Sequence, residues 1–416
     1  MKQTVRHGLG IALSAMAFVC NYSPWVRNAA ALPDALTLSS GQRLVVQTGL
    51  PMRAASAGGA GGAVSVLASQ DERVTLSAEA GGQTSVTFSL LGLIPVHETR
   101  VNVVEARRLI PGGQAVGVAL KTRGVLVVSD SAKGRLLRAG DVILSANGET
   151  VESAKTLGAV IGGAQSDTVR LEVMRGGQTI TVETAASVDA ADGRRKLGVW
   201  VRDSTAGVGT LTYVDPQTGA YGALGHAITD SDTGSLLPVR EGALMQAEIV
   251  DVRRGQRGAP GELRGSFLRE QVTLGTVQVN TALGIYGRLE APAASALYPE
   301  GLPTASRGQV HTGAATILST IAGQEACEYA IEITQVSRQS AAAPKSMVLR
   351  VTDERLLSST GGIVQGMSGS PILQDGRIVG AVTHVFVSDP TQGYGVFIDW
   401  MLQQSDALSA QQSEAA

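Results

Sequence analysis

Cysteine is scarce in this chain. Only Cys20 and Cys327 occur in 416 residues, and Cys20 falls in the leading segment, so no disulfide framework is expected even for an exported protein. An excess of charge of one sign is missing too. The 34 basic residues against 36 acidic ones leave a net −2, which excludes the electrostatic footprint of a nucleic-acid binder and points to protein or peptide partners. Aromatic residues make up 4% of the chain, whereas glycine occurs 51 times and proline 14. That balance suits short strands joined by tight turns and argues against an all-helical fold. Beyond the leading segment no apolar run reaches the roughly 20 residues a spanning helix needs, so the body is expected to be soluble.

What is present begins with Met1-Lys2-Gln3-Thr4-Val5-Arg6-His7, the uncharged run Gly8 to Cys20, and Ala29-Ala30-Ala31. A basic start, a 13-residue apolar run and an Ala-x-Ala site make residues 1–31 an export signal, either cleaved or retained as a membrane anchor. Val19 before Cys20, and no leucine three positions before it, argue against a lipoprotein. The length predicts two or three domains.

Residues 32–95 alternate apolar runs such as Gln42-Arg43-Leu44-Val45-Val46-Gln47 with Gly, Ser and Thr, the pattern of β structure. Ala54 to Ala63 is rich in Gly and Ala and reads as a flexible, protease-accessible loop. From residue 96 the runs Val101 to Val104, Gly124 to Val128, Asp141 to Leu144 and Val169 to Met174 read as strands. Leu136-Leu137 and Ala154 to Ile161 are the helix-like pieces between them. Asp189 to Lys196 is a polar break, and 195–405 returns to short strands such as Gly198 to Val201 and Ile378 to Val382, the makings of a β-barrel or double barrel. The tail, 406–416, is small and polar and is expected to be disordered.

With Gly140-Asp141 before a strand and Asn147-Gly148 in a turn after it, residues 96–190 resemble a PDZ domain. Such domains add an extended peptide to a sheet edge. The resemblance places the carboxylate-binding loop at Val116-Gly117-Val118, with the helix from Ala154 as the other groove wall.

A serine hydroxyl needs a base to take its proton, and the resulting oxyanion needs donors fixed in advance. Gly366-Met367-Ser368-Gly369-Ser370-Pro371 follows the Gly-x-Ser-Gly-x-Pro frame of chymotrypsin-like proteases. On that alignment Ser368 is the nucleophile, the N–H groups of Gly366 and Ser368 form the oxyanion hole, and Ser370 is structural. The base must come from five histidines. His7 lies in the export signal, His97 at the edge of the PDZ-like block, and His311 has no acid nearby in sequence. His226, in a Gly-flanked turn, is favoured over His384, which alternates within an apolar strand as a core or wall residue. Among acids to orient the base, Asp353, Asp230, Asp232, Asp375 and Asp389 remain open on spacing alone.

Longer runs carry a family likeness. Tyr221 to Gly234, Gly361 to Pro371, Gly380 to Val387 with Asp389-Pro390-Thr391 and Gly393-Tyr394-Gly395, and Arg108-Leu109-Ile110-Pro111-Gly112-Gly113 resemble the stage IV sporulation protein B family of serine peptidases. The resemblance implies a mainly β fold, a PDZ domain followed by a chymotrypsin-like barrel, with His226, Asp353 and Ser368 as the catalytic set and neither cofactor nor metal. It implies export into the space between the two spore membranes and self-cleavage near the N-terminus. It further implies cleavage of a membrane-bound regulatory protein, which frees an intramembrane protease to activate a late sigma factor. Asp353 precedes Ser368 by only 15 residues, closer than in trypsin relatives. Two rivals stand beside this reading: a Ser-Lys protease using Lys345, and an inactive PDZ adaptor at a membrane.

Overall fold

A computed structural model describes residues 32–58, 62–104, 106–129, 136–266, 273–290, 297–339 and 341–415. The export signal and part of the Gly/Ala loop lie outside them. The chain divides at Arg107/Arg108 into two units.

Among its described residues the first unit holds seven strands, β1 (Ala35–Ser39), β2 (Arg43–Gln47), β3 (Met52–Ser56), β4 (Val64–Gln70), β5 (Arg73–Ala78), β6 (Gly82–Leu90) and β7 (Ile94–Val104). They form one sheet in the order β1-β7-β6-β3 and another in the order β2-β5-β4. Alternate residues such as Val74 and Leu76 on β5, or Val86 and Phe88 on β6, are fully buried between them, as a half-buried strand's two-residue period requires. Two expectations are corrected. Ala54, Ala55 and Ser56 belong to β3 rather than to a loop, because their backbone pairs with Phe88, Thr87 and Val86. The boundary foreseen at 95/96 is crossed by β7.

The second unit opens with β8 (Arg108–Pro111), β9 (Ala115–Val127), β10 (Val142–Ala146), β11 (Glu149–Thr150), α1 (Ala154–Gly163), β12 (Thr168–Arg175) and β13 (Gln178–Ala185). Asn147 and Gly148, both at positive φ (50° and 84°), make the two-residue turn between β10 and β11. Ser153 caps α1 by accepting from the Thr156 N–H. Asp141 is buried because Arg175 grips both its oxygens at 2.7 Å and the Arg138 N–H donates to it. Leu137 enters this PDZ core from an irregular segment, not from the expected helix.

After β14 (Ser187–Val188) and β15 (Arg195–Lys196) come β16 (Val201–Val214), β17 (Ala220–Ala223), β18 (Val239–Gln246), β19 (Glu248–Arg253), β20 (Glu262–Ser266), β21 (Thr273–Thr281), β22 (Gly284–Leu289) and β23 (Leu302–Pro303). The pairing runs β9-β18-β21-β22-β17-β16, and β16 returns to β9, which closes a six-stranded ring. β9 therefore serves the PDZ sheet with its C-terminal end and the first barrel with its N-terminal end. This overturns the peptide-loop assignment. Val116, Gly117 and Val118 are paired on one side to Gly209, Val208 and Gly207 and on the other to Gln246, Met245 and Leu244, so no strand can be added there.

A second closed barrel follows, in the order β24 (Gly313–Ser319), β25 (Cys327–Val336), β26 (Met347–Val351), β29 (Asp389–Phe397), β28 (Arg377–Phe386), β27 (Pro371–Gln374). α2 (Glu354–Thr360) and α3 (Ile398–Ala415) complete the unit. The tail is not disordered through residue 415. Trp400, Met401 and Ser405 are buried, and the docked first turns carry the helix into its polar end. No helix among the described residues is long and apolar enough to cross a membrane.

Candidate active site

The Ser368 loop is built by backbone. Gly366 and Gly369 sit at φ +96° and +97°, and a Cβ on Gly369 would lie 2.1 Å from the Thr210 carbonyl oxygen, so only glycine lets this loop press against β16. Thr210 holds it from the first barrel: its N–H donates to the Ser368 carbonyl at 3.0 Å and its hydroxyl to the Gly366 carbonyl at 2.8 Å. Gly369 donates to the Val382 carbonyl at 2.8 Å. Among the described residues no acceptor takes the N–H of Gly366 or Ser368, and both residues line the same cavity. Ser370 is fully buried, its hydroxyl unpaired, and it does not line that cavity.

The cavity has a volume of about 490 Å³ and lies between the two barrels. Thr205–Val208 of β16, Leu224, Ile363, Val364, Val385 and Val387 wall it, so it is mostly apolar. His226 reaches it from the turn after β17, where Leu224 and Gly225 both take positive φ and reverse the chain. Its Nδ1 lies 2.8 Å from the Ala227 carbonyl. A carbonyl can only accept, so Nδ1 carries the proton and Nε2 keeps its lone pair. Burial holds the His226 pKa below its ordinary value, with the Ala227 bond opposing. The ring is thus neutral and basic near neutral pH.

His384, on β28, lines the same cavity. Desolvation first, then His226 and Lys345, lower its pKa to about 4. Its place in an apolar strand marked it as a wall residue, and the strand's alternation was the signal. Ser368 Oγ donates to the Thr383 carbonyl at 2.9 Å, so attack on a substrate requires the hydroxyl to swing away from β28.

Asp353 does not join them. It is the N-cap of α2, accepting from the N–H groups of Arg355 (2.9 Å), Leu356 (3.4 Å) and Ala330 (3.2 Å) and from the Arg355 guanidinium (2.8 and 3.1 Å). Those bonds, that of Arg355 foremost, hold its carboxyl far below the usual range. None of its partners lines the cavity. The expected triad is therefore not assembled, since the carboxylate is consumed by capping a helix. Asp230 is likewise taken, by Arg202 and Thr233, and Asp375 pairs with His311 at 2.8 Å. Among the described residues no carboxylate lines the cavity, and the Ala227 carbonyl holds the place an orienting acid would fill. Lys345 is exposed, its ammonium 4.8 Å from the centre of the Tyr394 ring, which leaves the Ser-Lys alternative without the dry pocket it requires. Among the described residues no group of His, Cys, Asp or Glu could hold a metal.

Two β-barrels that place a glycine-framed serine and a histidine in one cleft, beside a PDZ domain, define a serine peptidase of the chymotrypsin-like class. The PDZ family profile matches residues 102–185. Residues 193–402 match the profile described as SpoIVB peptidase S55, and the chain belongs to that family. No curated protein matches it. Among solved structures it is similar to the PDZ domain of the SdrC-like protein from Listeria monocytogenes, at 24% identity over 19% of this chain and 87% of that one, TM-score 0.18. It is also similar to the active form of the Rv3671c protease from M. tuberculosis, at 14% identity over 48% and 73%, TM-score 0.28. A third is the HtrA-type protease AlgW with decapeptide, at 10% identity over 72% and 65%, TM-score 0.29.

Proposed function

We propose that the chain is an exported endopeptidase of sporulation signalling, which cuts itself and then a membrane-bound regulatory protein that restrains an intramembrane protease. The observation that carries this is the opening of Ser368 and His226 on one cavity in a member of the SpoIVB peptidase family. The leading basic and apolar segment supports export. The apolar cavity walls favour a substrate with an apolar side chain beside the scissile bond.

In the reaction Ser368 Oγ leaves the Thr383 carbonyl and attacks the scissile carbonyl as His226 Nε2 takes its proton. The N–H groups of Gly366 and Ser368 meet the oxyanion. His226 then protonates the departing amine, and water, deprotonated in turn by His226, releases the acyl group. The Ala227 carbonyl keeps the ring in the required tautomer and stabilises its N–H when the ring is charged.

The test is self-processing of the purified full chain, read by mass spectrometry. Ser368→Ala and His226→Ala are expected to abolish it, and Lys345→Ala to leave it intact. Self-processing by Ser368→Ala would sink Ser368 as the nucleophile, whereas no self-processing by the parent would favour the adaptor. Mass spectrometry of a purified membrane regulator treated with the parent, with Ser368→Ala as the control, identifies the bond cut.

A further inference from the structure

We infer that the PDZ groove is held in the resting protein by the chain's own segment 197–203, and that an extended peptide which displaces it moves the strand walling the catalytic cavity. The second half rests on the peptidase reading above.

A PDZ groove lies between a strand edge and a helix, here the end of β9 and α1. One edge of Val125 and Leu126 pairs with Ile143 and Val142. The other edge, at Leu126 and Val127, where a ligand strand would add, pairs with Arg202 and Val201. The Val128 N–H donates to the Trp200 carbonyl at 2.9 Å. Leu197 is 6% exposed and belongs to the PDZ core, with Val199 and Val201 packed beside it, whereas Trp200 is 78% exposed. Apolar residues at 197, 199 and 201 thus face inward as those of a bound peptide do. Asp203 supplies the carboxylate, accepting from the Ala154 N–H at the start of α1 at 2.9 Å. A cavity of about 200 Å³ remains between this segment and α1, so the groove accepts bulkier side chains than the chain provides. The displacing ligand is therefore an extended peptide with apolar residues at alternate positions followed by a carboxylate.

The connection to the site is one strand. β16 starts in the groove at Val201, walls the catalytic cavity at Thr205–Val208, and at Thr210 bonds to the carbonyls of Gly366 and Ser368. Nine residues of extended chain span about 30 Å. Releasing its first residues loosens the register that holds the nucleophile loop.

Val127 and Val201 form a non-hydrogen-bonded pair, flanked by the Val128 to Trp200 bond, so a disulfide between them fits without backbone movement. The experiment uses the full chain carrying Ser368→Ala, Cys20→Ser, Cys327→Ser, Val127→Cys and Val201→Cys. The probe is a fluorescent peptide copying residues 195–203, followed by anisotropy. Because this protein is inactive by design, the binding result does not depend on the peptidase reading. Binding is expected at least tenfold tighter in the reduced form than in the oxidised form. Leu197→Gly in the uncrosslinked protein is expected to tighten it further. Hydrogen exchange at Thr205–Val208 is expected to rise on binding to the reduced form only. Equal binding to both redox forms, or none to either, overturns the occupancy of the groove. Tighter binding to the reduced form without a change in exchange at Thr205–Val208 overturns the coupling. If Leu197→Gly fails to fold, the comparison of redox forms of one protein still decides.

Discussion

The imidazole of His384 lies 5.1 Å, centre to centre, from that of His226, tilted by 39°. Among the described residues, two histidines and no carboxylate line the cavity with Ser368. Because their charged forms repel, the pair holds at most one proton readily, and the roles of the two rings are separable. His226→Ala is expected to lower kcat/KM by about 10²–10⁴-fold, the worth of a general base. His384→Gln is expected to cost less than tenfold and to change the pH profile, because it removes a neighbour. A peptide-cleavage assay on both variants checks this. A larger loss in His384→Gln than in His226→Ala would exchange their roles.

The His226 pKa is lowered by burial, and the base works only when neutral. The sign follows: activity should persist below pH 6.5, with its acid limb lying on the acid side of an ordinary histidine. A kcat/KM profile measured between pH 4 and 8 reads that limb directly. A limb above pH 7 would mean a carboxylate has joined the ring.

Asp353 makes a stability prediction instead of a catalytic one. Replacing an N-cap by alanine costs about 1–2 kcal/mol, so Asp353→Ala should lower Tm by a few degrees. Its kcat/KM should stay within tenfold of the parent wherever both proteins are fully folded. The folded-state pKa is depressed, so its contribution to stability is present above the unfolded value of about 4 and fades as pH falls below it. Thermal melts of the parent and Asp353→Ala should converge in acid.

Ser368 and Ser370 should behave oppositely. Ser368→Ala removes the nucleophile. Ser370→Ala removes a buried hydroxyl without a partner, which should leave activity intact and stability unchanged or raised by up to about 1 kcal/mol.

Gly369→Ala places a methyl 2.1 Å from a backbone oxygen and should cost both folding stability and at least a hundredfold in rate. Gly376→Ala, in a hairpin with nothing within 4 Å of the added carbon, should cost only about 1 kcal/mol of backbone strain. Denaturant melts and peptide cleavage on the pair separate loop geometry from a general glycine effect.

Features set by local pattern were readable in the chain. The Asn147-Gly148 turn, the helix from Ala154, the glycine frame of Ser368 and the Gly-flanked turn before His226 each state their conformation within a few residues. Asp353 could not be read that way, because a carboxylate ends a strand and caps a helix with the same letters that would orient a histidine. Val116–Val118 misled for a related reason. A Gly between two valines fits a binding loop and a barrel strand equally, and the deciding partners, Gly207–Gly209 and Leu244–Gln246, lie about a hundred residues away. The cavity walls were invisible because they come from β16, β28 and the Ile363 loop, none adjacent in sequence. The expected disorder after residue 405 failed because a polar end says nothing about the docked Trp400 and Met401 that anchor the helix.

β9 belongs to two domains at once, and this changes what a truncation means. Removing residues 102–185 to ask what the PDZ domain contributes would also pull a stave from the first barrel and unmoor Thr210 from the serine loop. Such a deletion would report an unfolded peptidase, whatever the groove binds. The PDZ function of this chain is open to point changes in 197–203, not to excision.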